Sequence, residues 1–208
     1  MRVGLFVPCY VDALYPEAGV ATYKLLKHYG LDVEYPERQT CCGQPMANAG
    51  FQDKSMKVIE SFDELFKDYD YIVAPSASCA AYVKVHYPKI LKGKHECVSS
   101  GKIMDIVEFL HDVLKVKEVP GKFPHPVSVH NSCHGVRELN LSSPSECNVK
   151  PFNKIIDLLQ LVDGITIHEP ERKDECCGFG GMFSIEEPAV STRMGEEKIK
   201  RHIATGGE

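Results

Sequence analysis

The chain has 208 residues, a formal net charge of −5 at pH 7 and an isoelectric point near 6.0. This acidic balance, without any block of basic residues, argues against a nucleic-acid partner and against an anionic membrane surface. The length and the apolar fraction of 43% suit one large domain or two small ones. No apolar run reaches the roughly 18–20 residues that a spanning helix requires, so we expect no direct insertion into a membrane.

Strands and helices alternate along the first half of the chain. Apolar runs and helical periodicity predict, in chain order, a strand over 3–7, a helix over 20–29, a strand over 31–35, a helix over 58–66, a strand over 71–74 and a helix over 103–113. We expect Asp53 to cap the second helix, and Ser99 and Ser100 to cap the third. Pro75 ends the strand over 71–74, which places Cys79 at the turn from that strand into a helix.

The second half repeats this order after a linker. Residues 119–126 are rich in proline and glycine and predict the linker. A strand over 127–129, a helix over 152–159 and a strand over 165–167 follow. We therefore predict an α/β fold of two similar Rossmann-like halves with mostly parallel sheets, related by a pseudo-twofold repeat, with domains at 1–118 and 125–208.

The tripeptide Cys-Cys-Gly occurs in both halves, at residues 41–43 and 176–178. Consecutive Cα atoms lie about 3.8 Å apart, whereas an ordinary disulfide needs roughly 4.4–6.8 Å. Neighbouring thiols are therefore poor partners for each other, but both can face one compact group that binds thiolates. An iron–sulfur cluster is such a group, and zinc is the alternative. Nine cysteines without an export signal also indicate the reducing cytoplasm, where thiols more often serve as ligands or catalysts.

Single cysteines that follow predicted strands complete two candidate ligand sets. Because functional loops of a parallel sheet gather at the carboxyl ends of its strands, we expect each set to converge. The candidates are, in the first half, Cys9, Cys41, Cys42 and Cys79 and, in the second half, Cys133, Cys176 and Cys177. We expect Gly43 to turn the backbone at positive φ. Zinc would accept four thiolates, although the closely spaced pairs of zinc knuckles are absent, and buried structural cysteine is the other alternative.

Other residues near these sets carry simpler interpretations. We expect His130, His134 and His168 to lie in loops or behind the ligands rather than to bind metal. Cys97 and Cys147 fall outside the repeated pattern and are interpreted as small apolar or surface thiols. The glycines that follow Cys177 lack the preceding strand and the lysine of a phosphate-binding loop, so nucleotide binding is rejected.

These motifs resemble the cysteine-rich CCG-domain family, in which a cysteine, a Cys-Cys-Gly triplet and a closing C-x-x-C form a unit that is normally present twice. The family includes the B subunit of heterodisulfide reductase, the iron–sulfur subunits of glycolate and anaerobic glycerol-3-phosphate oxidases, and the lactate utilization protein A group. The chain is most similar to this last group through residues 7–10 (Val-Pro-Cys-Tyr), 42–45 (Cys-Gly-Gln-Pro) and 75–79 (Pro-Ser-Ala-Ser-Cys). The resemblance covers essentially the whole chain.

The resemblance implies an iron–sulfur electron-transfer subunit of a cytoplasmic complex that oxidises L-lactate, or a related 2-hydroxy acid, to the 2-oxo acid. The implied partners are a ferredoxin-like iron–sulfur subunit and an accessory subunit. Ser76 occupies the position of the first cysteine in the family's closing C-x-x-C, which leaves four cysteines in the first half. Four thiolates suit an ordinary [4Fe–4S] cluster. A thiol/disulfide oxidoreductase like heterodisulfide reductase and a zinc-binding scaffold subunit are the alternatives.

The second half is expected to be incomplete at its carboxyl end. Cys79 follows Cys42 by 37 residues, and the same interval after Cys177 falls beyond Glu208. We therefore expect a closing strand and a fourth cysteine to be missing, with a sheet edge left exposed or in contact with a partner. Because three thiolates leave one ligand position open, we expect the second triplet to be less ordered or to hold no cluster.

Overall fold

The computed structural model describes residues 1–91, 93 and 96–207 and divides into two compact units. The first unit is Met1–Phe109 and the second is Leu110–Glu208. Glu208, the last residue of the predicted second domain, lies outside the described residues. The domain limits that we derive from the sequence, 1–118 and 125–208, stay a prediction.

A four-stranded parallel sheet, in the order β2–β1–β3–β4, organises the first unit. Its strands are β1 (Arg2–Leu5), β2 (Asp32–Glu34), β3 (Tyr71–Ala74) and β4 (Ile103–Asp105). Its helices are α1 (Cys9–Leu14), α2 (Pro16–His28), α3 (Gln44–Asn48), α4 (Met56–Phe66), α5 (Ala77–Ala81), α6 (Tyr87–Leu91) and α7 (Ile106–Glu108). A π-helical turn (Tyr82–His86) joins α5 to α6, and another (Phe109–Leu114) follows α7. The predicted parallel α/β fold is confirmed.

Aromatic side chains hold the helices of the first unit against this sheet. Phe6, directly after β1, lies edge-on to Phe62 of α4, with ring centroids 4.9 Å apart. Tyr87 of α6 contacts the same ring from another side at 5.6 Å. Phe6, Phe66 and Tyr87 are fully buried, and edge-to-face aromatic pairs add about 0.5–1.5 kcal/mol beyond their area burial. This core fixes α4 and α6 next to the loop that carries the first triplet.

The predicted caps of two helices in the first unit are wrong. Asp53 lies inside a 3-10 turn (Gln52–Ser55), and α4 starts at Met56 without a side-chain cap. Ser99 and Ser100 also lie in a 3-10 turn, after which the chain forms the short strand β4. The cap of the following helix is Asp105, whose Oδ1 accepts a hydrogen bond from the Val107 N–H at 2.8 Å. A three-residue apolar strand that runs straight into a helix is indistinguishable from the helix by periodicity alone.

The second unit contains a parallel pair of strands, β5 (Pro126–Ser128) and β6 (Thr166–His168). Its helices are α8 (Cys133–Arg137), α9 (Lys154–Leu159), α10 (Phe183–Glu186) and α11 (Pro188–Ala204). The residues after α11 return to the strands, because the Thr205 carbonyl lies 2.6 Å from His168 Nδ1 and Gly207 lies against Ser128. None of the helices formed by the described residues is long and apolar enough to cross a membrane.

Candidate functional site

The four candidate cysteines of the first half come together in the first unit. Cys9 is the first residue of α1, after β1, and Cys79 lies in α5, just after β3. Cys41 and Cys42 lie in the loop between β2 and α3. In the order Cys9–Cys41–Cys42–Cys79, each thiol interacts with the next closely enough to shift its pKa. The carboxyl edge of the parallel sheet therefore gathers four sulfur atoms from three separate segments.

The four thiols divide into two that favour the thiolate and two that favour the protonated form. Hydrogen bonds from Cys42, Gly43 N–H and Cys9 lower the pKa of Cys41 to about 5, although burial opposes the change. A hydrogen bond from Cys42 lowers the pKa of Cys79 to about 7, and Ser76 and Ser78 add to it. The pKa values of the two donating thiols, Cys42 and Cys9, are raised.

Cys42 donates to both neighbours and is buried, so its pKa lies far above the usual value. Burial, together with the hydrogen bond to Cys41, raises the pKa of Cys9 to about 11. At neutral pH Cys41 is therefore a thiolate and Cys79 is partly ionised, and the thiolate is the form that binds metals. A bound cation would displace the remaining protons, because coordinated thiols are deprotonated.

Glycine sets the backbone beside the first sulfur of each triplet. Gly43 has φ +86° and Gly178 has φ +81°, as expected for a residue that turns the chain tightly. In each triplet the glycine N–H points at the first cysteine, with the nitrogen 3.4 Å from Sγ of Cys41 and of Cys176. The two triplets therefore share one local geometry, in which a backbone N–H donates to the sulfur of the first cysteine.

The four cysteines of the first set differ in their exposure to solvent. Cys42 is 1% exposed, Cys41 and Cys79 are half-buried, and Cys9 is exposed. Gly43 lies against Val58 and Ser55, which close the inner side. A group held by these thiols would therefore be shielded on one side and accessible through Cys9 on the other, which suits exchange with a docked partner.

Two tyrosines line the buried side, and sequence reasoning did not identify them. Tyr87 Oη donates a hydrogen bond to the Cys42 carbonyl at 2.8 Å, which anchors the first triplet to α6. Tyr82 is 3% exposed and precedes it by five residues. The available signal was its position three residues after Cys79, one helical turn away.

The second unit brings together the three candidate cysteines of the second half. Cys133 is the first residue of α8, after β5, and its thiol interacts with Cys176. Burial is the largest cause of its raised pKa, and the charges of Cys176 and Cys177 add to it. α11 packs directly on this triplet, because a Cβ added at Gly178 would lie 2.7 Å from Met194 Cβ.

Two histidines line a cavity next to the second set. A cavity of about 540 Å³ beside Cys177 is lined by His130, His202 and Lys198. Burial, with the charges of Lys198 and His202, lowers the pKa of His130 to about 4, so its ring is neutral at pH 7. His202 Nδ1 lies 2.7 Å from Ser128 Oγ.

The remaining cysteines lie outside both sets. Cys97 Sγ is 3.4 Å from Ser99 Oγ and 3.5 Å from Asp63 Oδ1, and Cys147 is exposed. Within the described part of the chain, no group of three or more histidine, cysteine or carboxylate side chains is arranged to hold a single metal ion. The chemistry of the first set nevertheless fits a cluster, since four thiols lie at one edge of the sheet and the pKa values of Cys41 and Cys79 are lowered.

Comparison with known proteins defines the class to which this arrangement belongs. The model of the CCG cysteine-rich domain matches residues 3–84 and again residues 127–208. The chain therefore belongs to the CCG cysteine-rich domain family, and the predicted internal repeat is confirmed.

Individual relatives share its full length. The chain is 37% identical over 213 residues to lactate utilization protein A of Halalkalibacterium halodurans, a match that covers 100% of the chain and 83% of the relative. Identity to lactate utilization protein A of Geobacillus sp. (strain WCH70) is 36% over 208 residues, covering 98% and 82%. The protein of the same name from Exiguobacterium sp. is 36% identical over 215 residues, covering 100% and 83%.

Proposed function

We propose that this protein is the iron–sulfur electron-transfer component of a cytoplasmic system that oxidises L-lactate, or a related 2-hydroxy acid, to the 2-oxo acid. The observation that carries the proposal is the convergence of Cys9, Cys41, Cys42 and Cys79, with two of the four thiols favouring the thiolate. The substrate class comes from the relatives, which bear the name lactate utilization protein A.

The four cysteines of the first unit would hold the cluster, which we propose to be [4Fe–4S]. Such a cluster supplies one-electron transfer when bound. The Gly43 N–H, whose nitrogen lies 3.4 Å from Cys41 Sγ, stabilises negative charge on that sulfur, and the buried surroundings of Cys42 keep water from that side. Cys9, at the exposed end, marks the side at which a partner would dock.

Oxidation of a 2-hydroxy acid to a 2-oxo acid releases two electrons and two protons, so a carrier of single electrons must work with other components. We propose a ferredoxin-like iron–sulfur subunit and an accessory subunit as partners. The second set, Cys133, Cys176 and Cys177, supplies three thiols, and a cluster there would need a fourth ligand from elsewhere.

Metal analysis after anaerobic purification tests the cofactor. We expect iron and acid-labile sulfide in equal amounts and a broad charge-transfer absorption. Cys41→Ser should lose the cluster of the first unit, whereas the matched control Cys147→Ser, at an exposed cysteine outside both sets, should keep the wild-type content. Stoichiometric zinc without iron or visible absorption would overturn the proposal and favour a zinc-binding scaffold.

Reconstitution with partners tests the role. Co-expression with the neighbouring genes of its operon should yield a stable complex in which lactate reduces the cluster of this subunit. The isolated chain should not oxidise lactate, because its cysteine sites accept single electrons. Complete lactate oxidation by the isolated chain would contradict the assignment.

A thiol/disulfide oxidoreductase is the second candidate, and one observation favours it. Cys41, with a pKa near 5, receives a hydrogen bond from the exposed Cys9, which is the arrangement of a reactive thiol pair. Turnover of a heterodisulfide by the purified protein, lost in Cys9→Ser, would establish this activity in place of the first.

A further inference from the structure

Tyr82 places a phenol hydroxyl in the interior without a partner. The side chain is 3% exposed, and the hydroxyl oxygen is buried with no hydrogen-bond partner among the described residues. A buried polar group that has lost its hydrogen bonds to water and has gained none within the protein is costly, and such groups are rare in native proteins. The position of Tyr82 therefore needs an explanation beyond packing.

The surroundings of this hydroxyl point to the first cysteine site. Tyr82 directly follows α5, the helix of Cys79, and begins the π-helical turn Tyr82–His86. π-turns are rare and occur frequently at functional sites. Tyr82 lies one helical turn after Cys79, and the charges of Cys42 and Cys41 add to burial in raising its pKa.

The hydroxyl groups of two neighbouring residues, Ser55 and Tyr87, donate to other acceptors. Ser55 lowers the pKa of Tyr82, but its Oγ donates to the Gln52 carbonyl at 2.6 Å and makes no hydrogen bond with Tyr82 Oη. Tyr87 Oη donates to the Cys42 carbonyl. Burial keeps the Tyr82 phenol protonated, so among these three hydroxyls it alone has a free donor next to the thiols.

We propose that Tyr82 is a positioning residue that donates a hydrogen bond from Oη to a sulfur of the cluster held by Cys9, Cys41, Cys42 and Cys79, and that this bond raises the reduction potential of the cluster. The inference rests on the proposed function. Hydrogen bonds to cluster sulfurs set the potential, because a donor stabilises the more negatively charged reduced state.

The test compares variants that change only the donor. Tyr82→Phe keeps the ring and removes Oη, and we expect unchanged iron and sulfide per chain but a more negative midpoint potential in an anaerobic redox titration. Replacing Tyr82 by 3-fluorotyrosine, whose phenol is more acidic and a stronger donor, should shift the potential in the opposite direction. The matched control is Tyr69→Phe, since Tyr69 precedes β3 at the amino end of that strand and its Oη already donates to Glu34 at 2.8 Å. It should leave the potential unchanged.

Each outcome separates this inference from the proposed function. If wild-type protein assembles no cluster, the proposed function fails and the inference with it. If the cluster assembles and the potentials of wild type, Tyr82→Phe and the fluorinated protein coincide, the role of Tyr82 is overturned while the proposed function stands. Should Tyr82→Phe fail to load a cluster, the fluorotyrosine protein decides alone, because it retains the hydroxyl and the ring.

Discussion

Asp105 makes the stability of the first unit depend on pH. Its carboxyl caps α7 and is 5% exposed. Burial is the main cause that raises its pKa from 3.8 to about 7, and the charge of Glu108 adds to it. The folded protein therefore binds more protons than the unfolded chain between about pH 4 and pH 7. The contribution of Asp105 to the stability of the first unit is therefore most favourable below that window and is lost as the pH rises through it.

The size of this effect follows from the pKa. A rise from 3.8 to about 7 corresponds to about 4 kcal/mol, at about 1.4 kcal/mol per pH unit. Asp105→Asn removes the ionisation and retains an oxygen that can accept the hydrogen bond from the Val107 N–H. Relative to wild type, we expect the variant to be about equally stable at pH 4 and up to about 4 kcal/mol more stable at pH 8.

The assay is hydrogen exchange of peptides from β3 and β4, measured from pH 4 to pH 8 and corrected for the intrinsic exchange rate. It reports the stability of the first unit alone. Asp53→Asn is the matched control, because Asp53 is exposed and lies in a 3-10 turn, and its profile should follow that of wild type. The cysteines are common to all three proteins, so their titration cancels in the differences. Parallel profiles for wild type and Asp105→Asn would refute the reasoning.

Two further substitutions test the second unit. Gly178→Ala should destabilise the packing of α11 by about 1–3 kcal/mol, because the new Cβ would lie 2.7 Å from Met194 Cβ at φ +81°. Gly206→Ala is the control, because Gly206 has φ +75° but no atom within 4 Å of the added Cβ, and it should lose less stability. Equal losses of protection from hydrogen exchange in the two variants would contradict the packing argument. Asn153→Ala should cost about 1 kcal/mol, since Asn153 Oδ1 accepts from the N–H groups of Ile155 and Ile156 at 3.1 and 3.3 Å. In urea unfolding, Asn153→Asp should recover part of this loss, because it keeps the capping oxygen but not the hydrogen bond from Asn153 Nδ2 to Asn131 Oδ1 at 3.1 Å. A loss no smaller than that of alanine would contradict capping as the cause.

The sequence predicts the sheet of the first unit wherever a strand is a buried apolar run. β1 and β3 are such runs, and their parallel pairing follows from the helices between them. The boundaries of two elements cannot be read from the periodicity of apolar residues. α2 begins at Pro16 rather than at residue 20, because proline is favoured in the first turn although the apolar pattern starts later. β4 has three residues and continues into α7, so it reads as part of a helix.

The candidate site is also predictable from the sequence only in part. That the cysteines meet is predictable, because the carboxyl ends of parallel strands share one edge. Which of their thiols are ionised is not, because it depends on hydrogen bonds between side chains that only the folded loop brings together. The burial of Tyr82 also escapes prediction, since a π-turn shifts the helical phase after Ala81.

The topology of the first unit has a consequence for the order of events during synthesis. Val3 of β1 pairs with Tyr71 of β3, so the central strands cannot join until the intervening chain has been made. Contacts so distant in sequence form slowly, because the long loop must close first. Cys9 and the first triplet therefore leave the ribosome well before Cys79 is available, and they spend that interval as accessible, unprotected thiols. The set of four thiols is complete only after β3 has docked, which makes the nascent chain the stage most vulnerable to oxidation.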